Sequence, residues 1–401
     1  MLLPLLIFAA TYLVVALGHL PGWRLDRAGA ALIGASLMVA SGTLSLPEAY
    51  HAINFDTLTL LLGMMIVVAQ LRLAGFFGLA ARLIARHARY PLLLLIGIVL
   101  VAGVLSAFLV NDTVCLMLTP LVAEAVLALR RNPLPYLLAV DMAFNIGSVA
   151  TITGNPQNMM IGSLSQITYG SFAAHLAPVA ALGLGVATVL IALAFRDEIL
   201  TRTRLPDVVL KVRWNAMLLT KALVATLAMV AFFFLGKPPA EVAIVAGALL
   251  LPTRRIKPER IYREIDWSLL LLFAGLFIVV AGMEKAALTP AVRAAVGSLA
   301  LDRPPILALV TAVLGNLVSN VPAVMVLSPF ITALGDPRTA WLVLAMAATL
   351  AGNFTILGSI ANLIVVQRAA RYGITISFSA YFRIGAPLTV LTILIGVWLV
   401  G

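Results

Sequence analysis

Residues 151–158 read TITGNPQN and residues 355–362 read TILGSIAN, and each of these polar segments interrupts a long apolar stretch. Gly154 followed by Pro156 ends one helix and starts another, because proline fits the first turn of a helix, where its missing N–H costs nothing. The same interruption occurs twice along the chain. Paired broken helices of this kind indicate a duplicated membrane protein with a binding site at the breaks.

The composition requires lipid as the main solvent of the chain. Of 401 residues, 62% are apolar and 11% are charged, whereas soluble domains are about 45–50% apolar and about 25% charged. With spans of about 20 residues, roughly ten helices fit and no large soluble domain does. The single cysteine excludes an internal disulfide and a thiolate metal cluster. We find no nucleotide loop, metal-ligand cluster or nucleophile with a base, so the sequence predicts neither an enzyme nor a cofactor.

The repeat is visible in three aligned blocks that occur in the same order. Residues 53–69 align on 265–281, residues 104–120 on 313–329, and residues 142–158 on 346–362. The second pair of blocks lies inside apolar stretches whose centres are polar, as in hairpins that enter the membrane and turn back. We therefore predict an all-α polytopic membrane protein with two inverted repeats, each of five transmembrane helices, one of them broken, plus one re-entrant hairpin.

The predicted boundaries follow the charged, proline and glycine residues that separate the apolar stretches. The first repeat covers residues 1–200, with its hairpin at 91–129 and its broken helix at 134–167. A basic cytoplasmic linker covers 201–216. The second repeat covers 217–401, with its hairpin at 304–334 and its broken helix at 338–371.

The basic residues predict the orientation. With five crossings per repeat, 21 of the 27 lysines and arginines lie inside, five lie outside, and Arg72 lies within a span. This asymmetry fits the positive-inside rule. We predict a multi-pass protein of the cell (inner) membrane with both termini outside. The net charge of +11 then encodes orientation, and the predicted partners are membrane lipid and a small solute, with no nucleic acid.

The tip of the first predicted hairpin carries Asn111, Asp112 and Thr113. A turn within the membrane could use such residues simply to cap helix ends that lipid cannot satisfy. Asp112 indicates a functional role as well, because an ionisable group within the membrane by default marks an ion or substrate path. The second tip, with Ser319 and Asn320, has no carboxylate.

The two breaks could be simple kinks, but their repetition and their hydroxyl and amide side chains indicate a transport site. Free N–H groups at a new helix can hold an anion, and unwound carbonyls with Thr, Ser and Asn oxygens can hold Na⁺. The predicted substrate- or ion-binding residues are Asn111, Asp112, Thr113, Thr151, Thr153, Gly154, Asn155, Asn158, Ser319, Asn320, Thr355, Gly358, Ser359 and Asn362.

Two acidic residues are candidates for proton coupling. Burial disfavours the charged form of a carboxyl group, so Asp112 could titrate near neutral pH or, when ionised, hold Na⁺. Asp141 lies ahead of the first break and could carry a proton or equally pair with a neighbouring polar group. Its repeat counterpart is Ala345, so the duplication does not require it.

At these residues the sequence resembles the ion transporter superfamily, which contains arsenite permeases, divalent-anion symporters and citrate carriers. Asn111-Asp112 with the run to Thr119-Pro120, residues 355–359 and residues 381–385 are similar to the arsenite permease branch. The dicarboxylate branch usually has Ser-Asn-Thr at both tips. Here the tips read Asn-Asp-Thr and Ser-Asn-Val, which departs from that pattern.

The resemblance implies a scaffold part and a transport part that moves as an elevator, in a homodimer. It also implies two half-sites. One contains Asn111, Asp112 and Thr113 with Thr153, Gly154 and Asn155, and the other contains Asn320 with Gly358, Ser359 and Asn362.

We therefore predict a secondary active transporter of a small inorganic solute, such as arsenous or silicic acid or a related oxyanion, coupled to H⁺ or Na⁺. A sodium-coupled carboxylate or sulfate symporter is an alternative on the same scaffold. A channel is an alternative of a different class, although it needs a continuous polar lining that most spans lack.

Overall fold

The computed structural model describes residues 2–18, 22–206, 208, 212–253, 255–287 and 299–401. These residues form twenty α-helices and no β-strand. The predicted all-α fold class is therefore confirmed. Of the predicted linker, residues 207 and 209–211 lie outside the described residues.

The first half of the chain contains eleven of these helices. They are α1 (Leu2–Leu17), α2 (Arg27–Ala40), α3 (Leu46–Ala52), α4 (Phe55–Ala74), α5 (Phe76–His87), α6 (Pro91–Phe108), α7 (Asn111–Ala128), α8 (Pro133–Ser148), α9 (Pro156–Ser165), α10 (Tyr169–Ala194) and α11 (Arg196–Ile199).

The second half contains nine. They are α12 (Ala216–Phe234), α13 (Pro239–Leu250), α14 (Pro258–Tyr262), α15 (Trp267–Ala287), α16 (Pro304–Val318), α17 (Asn320–Ile331), α18 (Pro337–Leu350), α19 (Ile360–Ala370) and α20 (Phe378–Val400). Short 3₁₀ turns connect α8 to α9 and α18 to α19.

Seven of the described helices are long and apolar enough to cross a membrane: α4, α6, α7, α10, α12, α15 and α20. Their outward faces expose large apolar side chains, such as Val224 and Leu227 on α12 and Leu394 on α20. This pattern is that of a multi-pass membrane protein, whose outer surface faces lipid. The arms of the second hairpin are shorter, at 15 and 12 residues, than the 18-residue arms of the first.

Four helices pack in two equivalent pairs that join the halves. α4 packs against α13, and α15 packs against α2. Glycines permit the close approach, since a Cβ at Gly63 would lie 2.4 Å from the backbone carbon of Ala243, and one at Gly275 would lie 2.7 Å from that of Ala31. Gly63 and Gly275 are aligned positions of the repeat, so each half supplies the same contact to the other.

The hairpins and broken helices form a second group. Both arms of the first hairpin, α6 and α7, pack on α8, and both arms of the second, α16 and α17, pack on α18. The helices that end each half, α10 and α20, pack on each other and on α8 and α18 respectively. This arrangement brings the two hairpin tips to the two breaks.

Candidate functional site

A small cavity of about 50 Å³ lies where the two hairpin tips meet the two helix breaks. Its polar and charged lining comes from six side chains of these elements and one of α2, namely Asn111, Asp112, Gln157, Ser319, Asn320, Ser359 and Arg27. Pro156, Pro322 and apolar residues of α1, α15, α17 and α19 complete the wall. Residues from both halves of the chain therefore share one site.

The first tip is an extended pair of residues between α6 and α7. Leu109 leaves the helix in an extended conformation, and Asn111 begins α7. The Ser106 hydroxyl donates to the Phe144 carbonyl at 2.5 Å, and the Thr151 hydroxyl donates to the Ala107 carbonyl. These two bonds fasten the tip to α8 and to the first break, and they hold Asn111 and Asp112 at the cavity.

The second tip turns through a single residue. Ser319 has φ of 78°, in the left-handed region that favours glycine. Asn316 donates from Nδ2 to the Ala351 carbonyl at 3.0 Å, which fastens this hairpin to the second break. The turn brings Asn320 to the cavity, where the residue is 8% exposed.

The two breaks are held by the same pair of hydrogen bonds. Asn158 donates from Nδ2 to the carbonyls of Ser148 at 3.1 Å and Thr151 at 3.0 Å. Asn362 donates from Nδ2 to the carbonyls of Gly352 at 2.7 Å and Thr355 at 3.1 Å. Each amide thus satisfies carbonyls that the interrupted helix leaves without partners.

The glycines of the breaks are required for space. A Cβ at Gly154 would lie 2.1 Å from the Ser148 carbonyl oxygen, and one at Gly358 would lie 2.9 Å from the Gly352 carbonyl oxygen. Ser148 is the last residue of α8, and Gly352 lies in the 3₁₀ turn that follows α18, so in both cases the chain folds back onto the end of the preceding helix. A side chain at either position would force the break apart.

Amide side chains also connect the two breaks to each other. Asn145 donates from Nδ2 to Oδ1 of Asn353 at 2.8 Å and of Asn362 at 3.0 Å. From the other side, Nδ2 of Asn155 and Nε2 of Gln157 lie 3.1 and 3.2 Å from the Thr349 hydroxyl oxygen. Asn145 and Thr349 are equivalent positions of the repeat. The broken helices therefore hold each other by uncharged groups.

Several buried oxygens around the tips and breaks have no hydrogen-bond partner among the described residues. They include Oδ1 of Asn111, Asn145, Asn158 and Asn320. A buried polar group without a partner is costly. All of these amide oxygens are acceptors, so the groups that would satisfy them are hydrogen-bond donors or a cation such as Na⁺.

The predicted site residues divide into two groups. Asn111, Asp112, Ser319, Asn320 and Ser359 line the cavity. The others do not line it, and most hold the breaks, as described above for Thr151, Gly154, Asn155, Asn158, Gly358 and Asn362. The Thr153 hydroxyl lies 2.8 Å from the Tyr169 hydroxyl, the Thr355 hydroxyl 3.5 Å from Oδ1 of Asn316, and Thr113 is half-buried behind the first tip.

Asp141 lies outside the cavity lining. It is fully buried on α8, one turn before Asn145, and the side chain facing it is the buried Tyr381. Among the described residues no group of three or more His, Cys, Asp and Glu side chains could hold a metal ion. The lining of the cavity offers a cation amide and hydroxyl oxygens together with the carboxylate of Asp112.

Two cavity residues were not predicted from the sequence. Arg27 begins α2, and from the sequence it counts only toward membrane orientation, whereas Gln157 lies in the first break and has no predicted role. Arg27 and Asp112 have no hydrogen-bond or ion-pair partner among the described residues, although both line the same cavity. A signal existed for Gln157, because it follows the proline that starts α9, but none existed for Arg27.

Comparison with known proteins gives one matching family, described as citrate transporter, whose model matches residues 12–350. The silicon efflux transporter LSI3 of Oryza sativa is 28% identical, over 98% of this chain and 96% of that protein. A putative transporter arsB of Dictyostelium discoideum is 26% identical, over 98% of this chain and 90% of that protein.

A solved structure has a similar fold. The YdaH transporter of Alcanivorax borkumensis superposes with a TM-score of 0.61 at 14% sequence identity, covering 99% of this chain and 95% of that one. At this identity the likeness concerns the fold alone.

Proposed function

Because the chain belongs to the citrate transporter family, we propose that it is a secondary active transporter of a small inorganic hydroxide or oxyanion, such as arsenous or silicic acid. The observation that carries the proposal is the cavity where both tips and both breaks meet, with its mixture of acceptor oxygens and one guanidinium. H⁺ or Na⁺ is the coupling ion, and the protein is not an enzyme.

The size of the cavity supports a small solute. One water molecule needs about 10–15 Å³ of such volume, so the 50 Å³ of the cavity corresponds to a few waters. A solute with four or five heavy atoms fits this space. A tricarboxylate is several times larger and would need the tips to separate.

The hydrogen-bonding character of the lining supports a solute that donates. Asn111 and Asn320 present buried acceptor oxygens without partners, and the Asp112 carboxylate adds two acceptors. Arsenous and silicic acids remain protonated near neutral pH, so their hydroxyl groups can donate to these oxygens and accept from Arg27. Sulfate and carboxylates only accept, and they would meet the acceptors unfavourably.

The packing of the halves supports alternating access. Gly63 and Gly275 make equivalent contacts across the two halves, and each broken helix is held by the same pair of amide bonds. We therefore infer two inverted repeats, each of five crossings and one re-entrant hairpin, with the boundaries predicted above. In this proposal the hairpins and broken helices move together past the packed pairs α4–α13 and α2–α15.

The remaining parts of the proposal concern the setting of the protein. We propose the cell (inner) membrane, with both termini outside and the linker inside, on the asymmetry of the basic residues. We also propose a homodimer, which rests on the resemblance to the ion transporter superfamily. The solute, the coupling ion and membrane lipid are its other partners, and nucleic acid is not.

Asp112 is the proposed coupling group. It lines the cavity, whereas Asp141 does not, and it carries the only carboxylate among the described residues of the lining. Protonation or Na⁺ binding would remove its charge and allow the loaded site to cross the membrane. Asp141 is the second candidate, because its carboxylate is fully buried on α8, one turn before Asn145.

A sodium-coupled carboxylate or sulfate symporter is the second candidate function. The observation that favours it is the description of the matching family as citrate transporter. Arg27 would then bind the anion, and Na⁺ would offset the charge of Asp112.

Thermal unfolding of the purified protein tests the two functions. Arsenite, antimonite, silicate, sulfate, phosphate and citrate are compared with and without Na⁺, since a ligand at about 100 times its Kd stabilises the native state by about 2.7 kcal/mol. We expect arsenite or silicate to raise the Tm of the wild type and to act less on Arg27→Gln. The matched control is Arg24→Gln, which removes an exposed arginine outside the cavity. Stabilisation by citrate or sulfate with Na⁺ alone would replace the proposal by its alternative.

A further inference from the structure

A second, larger cavity of about 520 Å³ lies between α5 and the segment that follows α11. Four arginines surround it: Arg82 and Arg86 on α5, Arg89 just after that helix, and Arg204 in the linker. It shares no lining residue with the cavity at the hairpin tips. In the predicted topology this cavity lies at the cytoplasmic surface.

The cavity is a formed part of the fold. The Leu205 N–H donates to the Arg89 carbonyl at 3.0 Å, which fixes the linker against the end of α5. Leu205 and Ala85 are each 6% exposed, and with Ala88 and Val208 they form an apolar floor. The four arginines therefore surround an apolar surface whose position is fixed by this hydrogen bond.

Among the described residues, the lining of this cavity does not balance its positive charges. None of its four arginines forms an ion pair among the described residues, and no described lining residue is acidic. Asp207, next to it in sequence, lies outside the described residues. Arg82 is partly buried, and Arg86, Arg89 and Arg204 are exposed. The partly buried Arg131, by contrast, pairs with Glu198 at 2.7 Å. Clustered cations repel one another unless an anion joins them.

We propose that this cavity binds a phosphate group carrying several anionic oxygens, supplied by an anionic phospholipid of the cytoplasmic leaflet. Guanidinium groups bind phosphate by paired, charge-assisted hydrogen bonds. The lipid source is favoured by the apolar surface beside the arginines, where Leu83 is 58% exposed and Tyr90 is 43% exposed. Basic pockets of this kind at the cytoplasmic side of membrane helices suit lipid head groups.

The position of the cavity gives the bound lipid a consequence. α5 packs on α7, the helix that begins with Asn111 and Asp112, and the linker connects the two halves of the chain. An anion held by Arg82, Arg86 and Arg204 therefore ties the linker to a helix that contacts the first hairpin. This site goes beyond the proposed function, because it is separate from the solute cavity.

Binding is tested with the full-length protein purified in detergent. Cardiolipin, phosphatidylcholine and inorganic pyrophosphate are added separately, and Tm is measured as a function of concentration. We expect cardiolipin to raise Tm and phosphatidylcholine to have no effect. In Arg82→Gln/Arg86→Gln we expect affinity about 25-fold weaker, at about fivefold for each arginine near an anionic surface. The matched control is Arg130→Gln/Arg202→Gln, two exposed arginines that do not line the cavity.

The outcomes separate the sources of phosphate. Stabilisation by pyrophosphate but not by cardiolipin overturns the lipid source. The site itself is overturned if neither probe raises Tm. It is also overturned if Arg82→Gln/Arg86→Gln and Arg130→Gln/Arg202→Gln lose affinity for cardiolipin equally. If the glutamine variant does not fold, Arg82→Lys/Arg86→Lys keeps the charges but removes the paired hydrogen bonds, and it must still bind more weakly than the wild type.

Discussion

The two broken helices are nearly the same structure, and the two hairpin tips beside them are not. Asn158 and Asn362 make the same pair of bonds to carbonyls. The tips differ because Asp112 of the first aligns with Val321 of the second, and only the second turns through a left-handed residue, Ser319. The duplicated framework is thus retained in both halves, while the acidic charge is present in only one.

This difference suggests how the site is organised. Helix breaks need glycine and amides for purely structural reasons, so both halves keep them. The first half adds Asp112, and in the fold its tip lies at the same cavity as Arg27. We infer that the second half mainly shapes the cavity, whereas the first half supplies the group that couples transport to an ion.

Neutralising the first tip is expected to have the largest effect. Asp112→Asn keeps the shape of the side chain and removes the charge, so H⁺- or Na⁺-driven uptake into proteoliposomes should be abolished while the protein stays folded. Loss of a charged hydrogen bond alone costs about 1.5–3 kcal/mol, so solute affinity should also fall by about tenfold or more.

The aligned position of the second tip provides the control. Val321→Asp introduced into the Asp112→Asn protein gives the second tip the charge that the first has lost. We expect no recovery of coupled uptake, because the two tips have different turns. Normal uptake by Asp112→Asn would remove Asp112 from the mechanism, and recovery in the double variant would show that the two halves are interchangeable.

The glycines of the breaks should respond to the same substitution by different amounts. Gly154→Ala brings a Cβ within 2.1 Å of a backbone oxygen, whereas Gly358→Ala brings it within 2.9 Å. Overpacking typically costs about 1–3 kcal/mol of folding stability. We expect the free energy of unfolding to fall by an amount near the upper end for Gly154→Ala and near the lower end for Gly358→Ala. Thermal unfolding measures both.

Gly185 on α10 is the matched control, because a Cβ there meets nothing within 4 Å. Gly185→Ala should leave Tm unchanged or raise it slightly, since alanine favours the helix. Equal losses of stability in Gly154→Ala and Gly358→Ala would contradict the expectation that the shorter Cβ distance at Gly154 is the more costly one.

Two ion pairs join the halves and should have the smallest effects. Arg72 at the end of α4 pairs with Glu264, which lies between α14 and α15, and Lys285 at the end of α15 pairs with Glu48 in α3. Glu264 is the less exposed carboxylate, at 21% against 45%. We expect Glu264→Gln to cost about 1 kcal/mol or less, and Glu48→Gln to lower Tm by a smaller amount.

The ion pair of Glu48 with Lys285 also predicts a pH dependence of stability. The hydrogen bond from Lys285, with those from Ser45, lowers the pKa of Glu48 from its ordinary value of 4.5 to about 2. Because the folded-state pKa is below the unfolded one, the stabilisation is complete above pH 4.5 and is lost as the pH falls towards 2. The Tm difference between wild type and Glu48→Gln should shrink over that range. A difference that grows on acidification would contradict the pairing.

The sequence predicted those parts of the fold that depend on short-range signals. Gly154 and Pro156 predicted the first break, and the aligned amides predicted the second. The ends of the scaffold helices depend on local signals of their own: Ser45 and Pro47 start the separate helix α3, and Gly75, with φ of 89°, ends α4 and allows α5 to begin. Arg27 could not be predicted, because its part in the cavity depends on how α2 packs beside the hairpin tips.

The amide contacts among Asn145, Asn353 and Asn362 bear on the electrical work of transport. Carrying one elementary charge through a membrane potential of 100 mV involves about 2.3 kcal/mol, whereas an amide group carries no net charge. If the hairpins and broken helices move together as proposed, they carry the carboxylates of Asp112, which lines the cavity, and of Asp141, which is buried. The dependence of the transport current on voltage would therefore count how many of those two acids are ionised during the stroke.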